Sequence, residues 1–246
     1  MTNTIIDINA DVGEGFSNEA DLMPYLSSCN IACGGHAGNN SSIRSAIKLA
    51  KKHHVKIGAH PSFPDKKNFG RLPMAITSEK LKQSLKEQMQ VLALIAKQEN
   101  ATLNHIKPHG ALYNLAAKET QLAQIIVDFI KANFKNLKLY APYKSVIANL
   151  AIANGIEVVF EAFADRNYND DLSLISRKNE DALLTKKEAV FCHVFNMITH
   201  QKVKALSGVE VPIKAQTFCV HGDTKNALEI LRYLTQKLKE NAITIQ

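Results

Sequence analysis

Four histidines follow short β-branched runs and stand beside glycine or proline: His36 in Gly35-His36-Ala37-Gly38, His60 before Pro61, His109 between Pro108 and Gly110, and His221 before Gly222. An isolated histidine is usually a satisfied surface or core residue. Four at equivalent points form a functional group. His53, His54, His193 and His200 lie within or beside helical stretches and read as ordinary residues. Carboxylates accompany the first set. Asp11 and Glu14 share one loop, Asp165 follows Glu161-Ala-Phe-Ala, and Asp223 follows His221-Gly. Carboxylates with imidazoles can move protons or hold a divalent metal. Lys107, between Ile106 and Pro108, can stabilise a developing oxyanion or phosphoryl oxygen; its plainer reading is an ion pair with Asp11, Glu14 or Glu161. Arg71 and Arg166 suit bidentate contacts to a carboxylate or phosphate.

Several chemistries lose ground on spacing. Gly34-Gly35-x-x-Gly38 lacks the Gly-Lys-Ser/Thr of a phosphate loop and is not a dinucleotide fingerprint, although its amides could face an anion ahead of a helix opening near Asn39. Asp223 reads equally as an anion-site residue or as an N-cap. No His-Glu-x-x-His pair promotes a metal, and no Gly-x-Ser-x-Gly elbow promotes a serine hydrolase.

These residues need a frame. Seven short runs read as strands: Ile5–Asn9, Cys29–Cys33, Lys56–Ala59, Leu103–Lys107, Leu137–Ala141, Ile156–Glu161 and Gln216–Val220. Each reads as apolar on both parities, as parallel strands buried on both faces do. Helix-period stripes alternate with them. One is Leu81, Leu85, Met89, Leu92 and Ile95 after a Thr77/Ser78 cap; a second is Leu122, Ile125, Ile126, Phe129 and Ile130; a third is Leu228, Leu231, Leu234 and Leu238 after Asp223/Thr224. Strand–helix alternation without hairpins predicts an α/β fold; a seven-stranded parallel β/α barrel spanning residues 1–246 as one domain is favoured over an open doubly wound sheet, which alternates the same way. In such a barrel every strand C-terminus opens on one face, so the polar residues converge on one mouth. The stretch Asp165 to Thr185 is the one long irregular connection, and a loop that long is usually functional.

Composition narrows the partners. The 246 residues are 46% hydrophobic and 22% charged, which excludes disorder and needs no disulfide staple. The charge of +7 comes from 30 basic and 23 acidic residues interleaved along helix-like segments, and the chain has no Trp, so no nucleic-acid surface is expected. No apolar run reaches membrane-spanning length, and the N-terminus lacks a leader pattern; no membrane association and a cytoplasmic location are expected. Cys29, Cys33, Cys192 and Cys219 do not space as a disulfide framework and are expected as buried free thiols.

Seven segments together resemble the LamB/YcsF family: Ile6 to Phe16, Asn30 to Gly38, Ile57 to Pro61, Phe69 to Arg71, Ile106 to Asn114, Glu161 to Arg166 and Cys219 to Thr224. They fall in family order and span nearly the whole chain. The resemblance implies a barrel of the glycoside hydrolase/deacetylase type. It also implies the role of the A chain in an ATP-dependent 5-oxoprolinase, opening the lactam of 5-oxoproline to L-glutamate with subunits B and C. ATP is then a co-substrate with Mg²⁺; a bound transition metal and homo-oligomerisation stay open. Asp11, His60, Lys107 and His109 are the implied catalytic residues. Glu14, Gly35, His36, Arg71, Asp165, Arg166, His221 and Asp223 are the implied substrate or phosphate contacts, Arg166 for the substrate carboxylate. Several positions depart from the family pattern: Asn39 replaces an Asp, Gly35 replaces a Phe, Leu172 replaces a Gly, and Ile175-Ser176 replaces Val-Pro. Two other readings remain: a metal-dependent deacetylase or amidohydrolase on the same barrel, and a non-catalytic protein that binds a small molecule.

Overall fold

The computed structural model describes residues 4–246; Met1, Thr2 and Asn3, on which the leader expectation partly rests, lie outside the described residues. The elements run β1 (Thr4–Val12), α1 (Glu19–Leu22), β2 (Ser28–Ala32), α2 (Asn40–Lys52), β3 (Lys56–His60), α3 (Ser78–Gln98), β4 (Leu103–Ile106), α4 (Gly110–Ala116) and α5 (Thr120–Asn133). They continue with β5 (Lys138–Pro142), α6 (Val146–Ala153), β6 (Val158–Phe163), α7 (Lys187–Thr199), β7 (Lys202–Lys204), β8 (Glu210–Pro212), β9 (Thr217–Cys219), α8 (Ala227–Glu240) and β10 (Ile243–Ile245). Strands β1, β2, β3, β4, β5, β6 and β9 pair in parallel in that order, and β9 returns to β1, closing a ring of seven. All seven expected runs are its strands.

The helices form as their stripes require. Thr77 caps α3 by accepting from the Lys80 amide, and Leu81, Leu85, Met89, Leu92 and Ile95 are buried against the barrel. Each such side chain contributes about 1.5–3 kcal/mol on burial. Asn39 caps α2 through a reciprocal pair with Ser42, so helix capping survives the departure from Asp. The richest apolar stretch, Val146 to Phe160, divides between α6 and β6. Among the described residues no helix is long and apolar enough to cross a membrane.

The structure corrects five expectations. A hairpin does occur: β7 and β8 pair antiparallel across a turn at Gly208, whose φ is +94°. Strand β10 was not foreseen; it pairs with the N-terminal half of β1, outside the ring. Cys29, Cys33 and Cys219 are buried free thiols, but Cys192 is exposed on α7. Helix α8 is capped by Asn226 rather than by Asp223 or Thr224, so Asp223 is not its N-cap.

The fifth correction concerns the barrel interior. The ring strands are buried on both faces, yet one parity is polar. Asp7, Asn9 and Asp11 of β1, Ser28 and Asn30 of β2, His105 of β4, Glu161 of β6 and Thr217 of β9 are all buried. Apart from one oxygen each of Asp7 and Glu161, they satisfy one another. Asp7 Oδ1 accepts from Ser28 (2.7 Å) and Thr217 (2.5 Å); Asn9 Nδ2 donates to Glu161 (2.9 Å) and Thr217 (2.7 Å). Asn30 Nδ2 donates to Asn9 and Asp11, both at 2.8 Å, and its Oδ1 accepts from His105 Nε2 at 2.7 Å. A polar core is tolerable only when its members are paired this way. The apolar parity faces the helices.

Candidate active site

The interior network surfaces at the C-terminal mouth. There β1 presents Asp11, β3 presents His60, and the residue after β4 is Lys107. Lys107 is 2% exposed, and its Nζ lies 3.2 Å from Asp11, 2.9 Å from Glu161 and 3.1 Å from Cys219 Sγ. Burial alone would pull the ammonium down; Asp11, Cys219 and Glu161 hold it well above its ordinary range. Burial would push Asp11 up, but His60 and Lys107 hold its carboxyl well below the usual range. The ion pairing foreseen for Lys107 is thus present with Asp11 and Glu161, and not with Glu14.

Beside this ion cluster stands an imidazole cluster. His60 Nε2 is 3.2 Å from Asp11 Oδ2 and 2.9 Å from His109 Nδ1. His36 Nε2 is 2.9 Å from Glu14 Oε1, and its ring stacks on that of His109 with centroids 3.6 Å apart. Burial pushes His36 down to about 4 and, with His60 and His36 nearby, His109 well below the imidazole range. Burial and the Asp11 charge raise Glu14 to about 7. Phe69 closes the cluster edge-on to both stacked rings. Its neighbour Gly70 must be glycine: φ is +62°, and a Cβ there would lie 2.9 Å from the His36 Cβ.

A third group faces these across the mouth. Asp165 Oδ1 lies 2.8 Å from His221 Nδ1, and its Oδ2 accepts from the His221 amide (3.0 Å) and Thr224 (2.5 Å). These contacts hold the buried Asp165 carboxyl below its usual value against desolvation. Because a carboxylate accepts, His221 carries its hydrogen on Nδ1 and offers Nε2 as a base. At the rim, Asp223 binds Arg71 (2.7 Å) and Arg177 (3.1 Å). A cavity of ≈ 450 Å³ joins all three groups, lined by Asp11, Glu14, His60, Lys107, His109 and His221 among others.

Two expected ligand contacts are otherwise engaged. Arg166 donates to the Ile175 carbonyl (2.5 Å) and the Ala182 carbonyl (3.3 Å), pinning the long loop after β6. Its Nε and one terminal nitrogen are used up on backbone, so it builds the wall more than it reaches substrate. Gly35 is held close by its neighbours: a Cβ there would meet Ser62 Oγ and Gln88 Oε1 at 2.4 Å each, so packing requires glycine. Leu172 holds φ at +64°, which explains why glycine suits that turn.

Residues missed from the sequence are Asn9, Asn30, His105, Tyr113 and Arg177. The polar i, i+2 spacing of Asp7, Asn9 and Asp11 and of Ser28 and Asn30 was the available signal for the first pair. Tyr113, on α4, and Glu161 leave a buried hydroxyl and a buried carboxylate oxygen without protein partners. Both line an adjoining cavity of ≈ 600 Å³.

Fold and site together define a closed β/α barrel with a buried carboxylate–imidazole–ammonium cluster at its C-terminal mouth. The chain belongs to the LamB/YcsF family, which it matches over residues 6–246. It is 41% identical over 240 residues to the A subunit of 5-oxoprolinase from Haemophilus influenzae (strain PittEE), covering 98% of each chain. Against the protein of the same name from Pyrococcus abyssi it is 39% identical over 245 residues, covering 98% of this chain and 96% of that one. Among solved structures, the lactam utilization protein of Thermus thermophilus superposes with a TM-score of 0.92 at 35% identity, covering 99% of both chains.

Proposed function

We propose that this chain is the A subunit of a 5-oxoprolinase, a single barrel domain acting in the cytoplasm that opens the lactam of 5-oxoproline to L-glutamate. The observation that carries the reading is end-to-end similarity to relatives of that name, in a chain whose Asp11, His60, Lys107 and His109 meet within hydrogen-bonding reach. A lactam is an unreactive amide, so its hydrolysis needs activation of the carbonyl and a base for water.

The cavity offers both. The Lys107 ammonium, fixed between Asp11 and Glu161, is poised against negative charge on the amide oxygen. His221, oriented by Asp165, accepts the proton of attacking water through Nε2. Glu161 Oε2 and the Tyr113 hydroxyl provide an unpartnered acceptor and donor, complementary to a cyclic amide's N–H and C=O. Arg71 and Arg177 at the rim suit the substrate carboxylate or a phosphate once Asp223 yields. ATP, with Mg²⁺, would phosphorylate the amide oxygen; water then adds to the amide carbon, the ring C–N bond breaks as the proton taken by His221 passes to the nitrogen, and a second water hydrolyses the resulting acyl phosphate to carboxylate and phosphate. Subunits B and C complete the assembly, and the chain alone is silent.

The test measures glutamate released from 5-oxoproline with ATP and Mg²⁺, by this chain alone and with its subunits B and C. Release only with partners and ATP is expected. No release from the three folded chains together overturns the reading.

A further inference from the structure

Glu14, His36, His60 and His109 come from four successive strand ends, and one ligand atom of each lies within 4.8 Å of all the others. The hydrogen positions on two rings follow from their outer contacts. His60 Nδ1 is 2.8 Å from the Lys107 carbonyl, and His109 Nε2 is 2.9 Å from the Phe69 carbonyl. A carbonyl oxygen only accepts, so both outer nitrogens carry hydrogen. The inner nitrogens, His60 Nε2 and His109 Nδ1, face each other at 2.9 Å, and Asp11 Oδ2 lies 3.2 Å from His60 Nε2, so these three atoms share at most one hydrogen. Glu14 Oε1 stands 3.7 Å from His109 Nδ1, and no Lys or Arg among the described residues pairs with Glu14. Lone pairs and a buried carboxylate thus converge with no fixed cation between them.

We propose that this cluster is a divalent transition-metal site, with His60 Nε2, His109 Nδ1 and Glu14 Oε1 as ligands, Asp11 Oδ2 beside them, and His36, stacked on His109, holding Glu14 in place. Imidazole and carboxylate donors suit zinc-like ions. Ligand atoms about 2.0–2.2 Å from such an ion lie about 3.3 Å apart, so the two facing nitrogens need separate by only a few tenths of an ångström. Outer ring nitrogens locked on carbonyls are the usual support of ligating histidines. The Phe69 ring and the packed Gly70 turn shield the cluster. A neighbouring trio, Asp11, Cys219 and His221, has similar spacing, but the Lys107 ammonium already lies against Asp11 and Cys219 and excludes a second cation. This inference does not rest on the lactam reading.

The test uses the purified full chain, stripped with chelator and then given Zn²⁺ or Co²⁺. Expected are about one metal per chain after gel filtration, a rise in melting temperature, and tetrahedral-type Co²⁺ absorption in the visible. His60→Gln and His109→Gln each weaken binding more than about tenfold, while Asp223→Ala does not. Should a histidine variant fail to fold, proton NMR of the Co²⁺-loaded wild type decides. The two outer ring hydrogens of His60 and His109 then give paramagnetically shifted exchangeable signals. No stoichiometric metal on the folded wild type, binding indifferent to the folded variants, or absence of those shifted signals overturns the proposal. A single proton then bridges His60 and His109.

Discussion

Lys107 Nζ lies 2.9 Å from Glu161 Oε1 at the centre of the barrel mouth, with both side chains withdrawn from solvent. A buried pair of this kind is held by its partners, and removing one side strands the other charge. Lys107→Met leaves Asp11 and Glu161 facing each other without a cation. It is expected to cost about 3–5 kcal/mol of folding stability and to abolish turnover. Glu161→Gln keeps Asp11 as counter-ion and is expected to cost less. Urea denaturation of both variants checks the order; equal or reversed costs would show that Asp11 alone does not balance the ammonium.

The Asp165–His221 pair gives a pH signature. Asp165 has a folded pKa below its ordinary value, so the stability it contributes is full above the unfolded value of about 3.9. That contribution fades as pH falls through the lower folded value. Asp165→Asn lacks it at every pH and is expected to be less stable by about 2–4 kcal/mol near neutrality. The gap between wild type and variant should stay level from about pH 5 to 8 and narrow below about pH 4. Thermal melts across that range measure it, and a gap unchanged at about pH 3 would contradict the depressed carboxyl.

Gly58 is expected to be irreplaceable. A Cβ there would lie 2.0 Å from His105 Nε2, and His105 cannot retreat because Tyr140 stacks on it at 3.7 Å. Gly58→Ala should cost about 2–3 kcal/mol by breaking the His105–Asn30 bond. His105→Ala in the same chain makes room for the methyl. The double variant should therefore lose less than the sum of the single losses, read from a double-mutant cycle.

Gln201 lies one residue past His200, the C-cap of α7, with φ at +51°, and is exposed. Glycine is the favoured residue at that position. Gln201→Gly should raise stability by about 1 kcal/mol. Turnover should not change, because Gln201 belongs to none of the three groups at the mouth. A lowered melting temperature would contradict the strain.

Much of this arrangement was legible in the sequence. The seven ring strands announced themselves as short runs, and the glycine- and proline-flanked histidines marked their C-terminal ends. The interior was harder to read, because Ile and Ala at alternate positions masked the polar parity of Asp7, Asn9, Ser28 and Asn30. The β7–β8 hairpin carried a signal in Ser207-Gly208 between valine-bearing runs, overlooked because it is only three residues a side. Arg166 and Asp223 were placed at the right end of the barrel, but their partners depend on how the loop after β6 folds. Chain spacing does not encode that. Gly35 carries a constraint of the same kind: close approach of Gln88, from α3, requires glycine there.

Ring closure sets a schedule for the molecule. Strand β1 is the first made, yet two of its partners, β9 and β10, are more than two hundred residues away along the chain. During synthesis Asn9 and Asp11 stay on an open sheet edge until residues 217–219 arrive. The buried charges around Lys107 can be desolvated together only at that late stage. A nascent or truncated chain ending before β9 would therefore carry an unpaired edge and exposed interior polar groups, and would be prone to capture by chaperones or by its own copies.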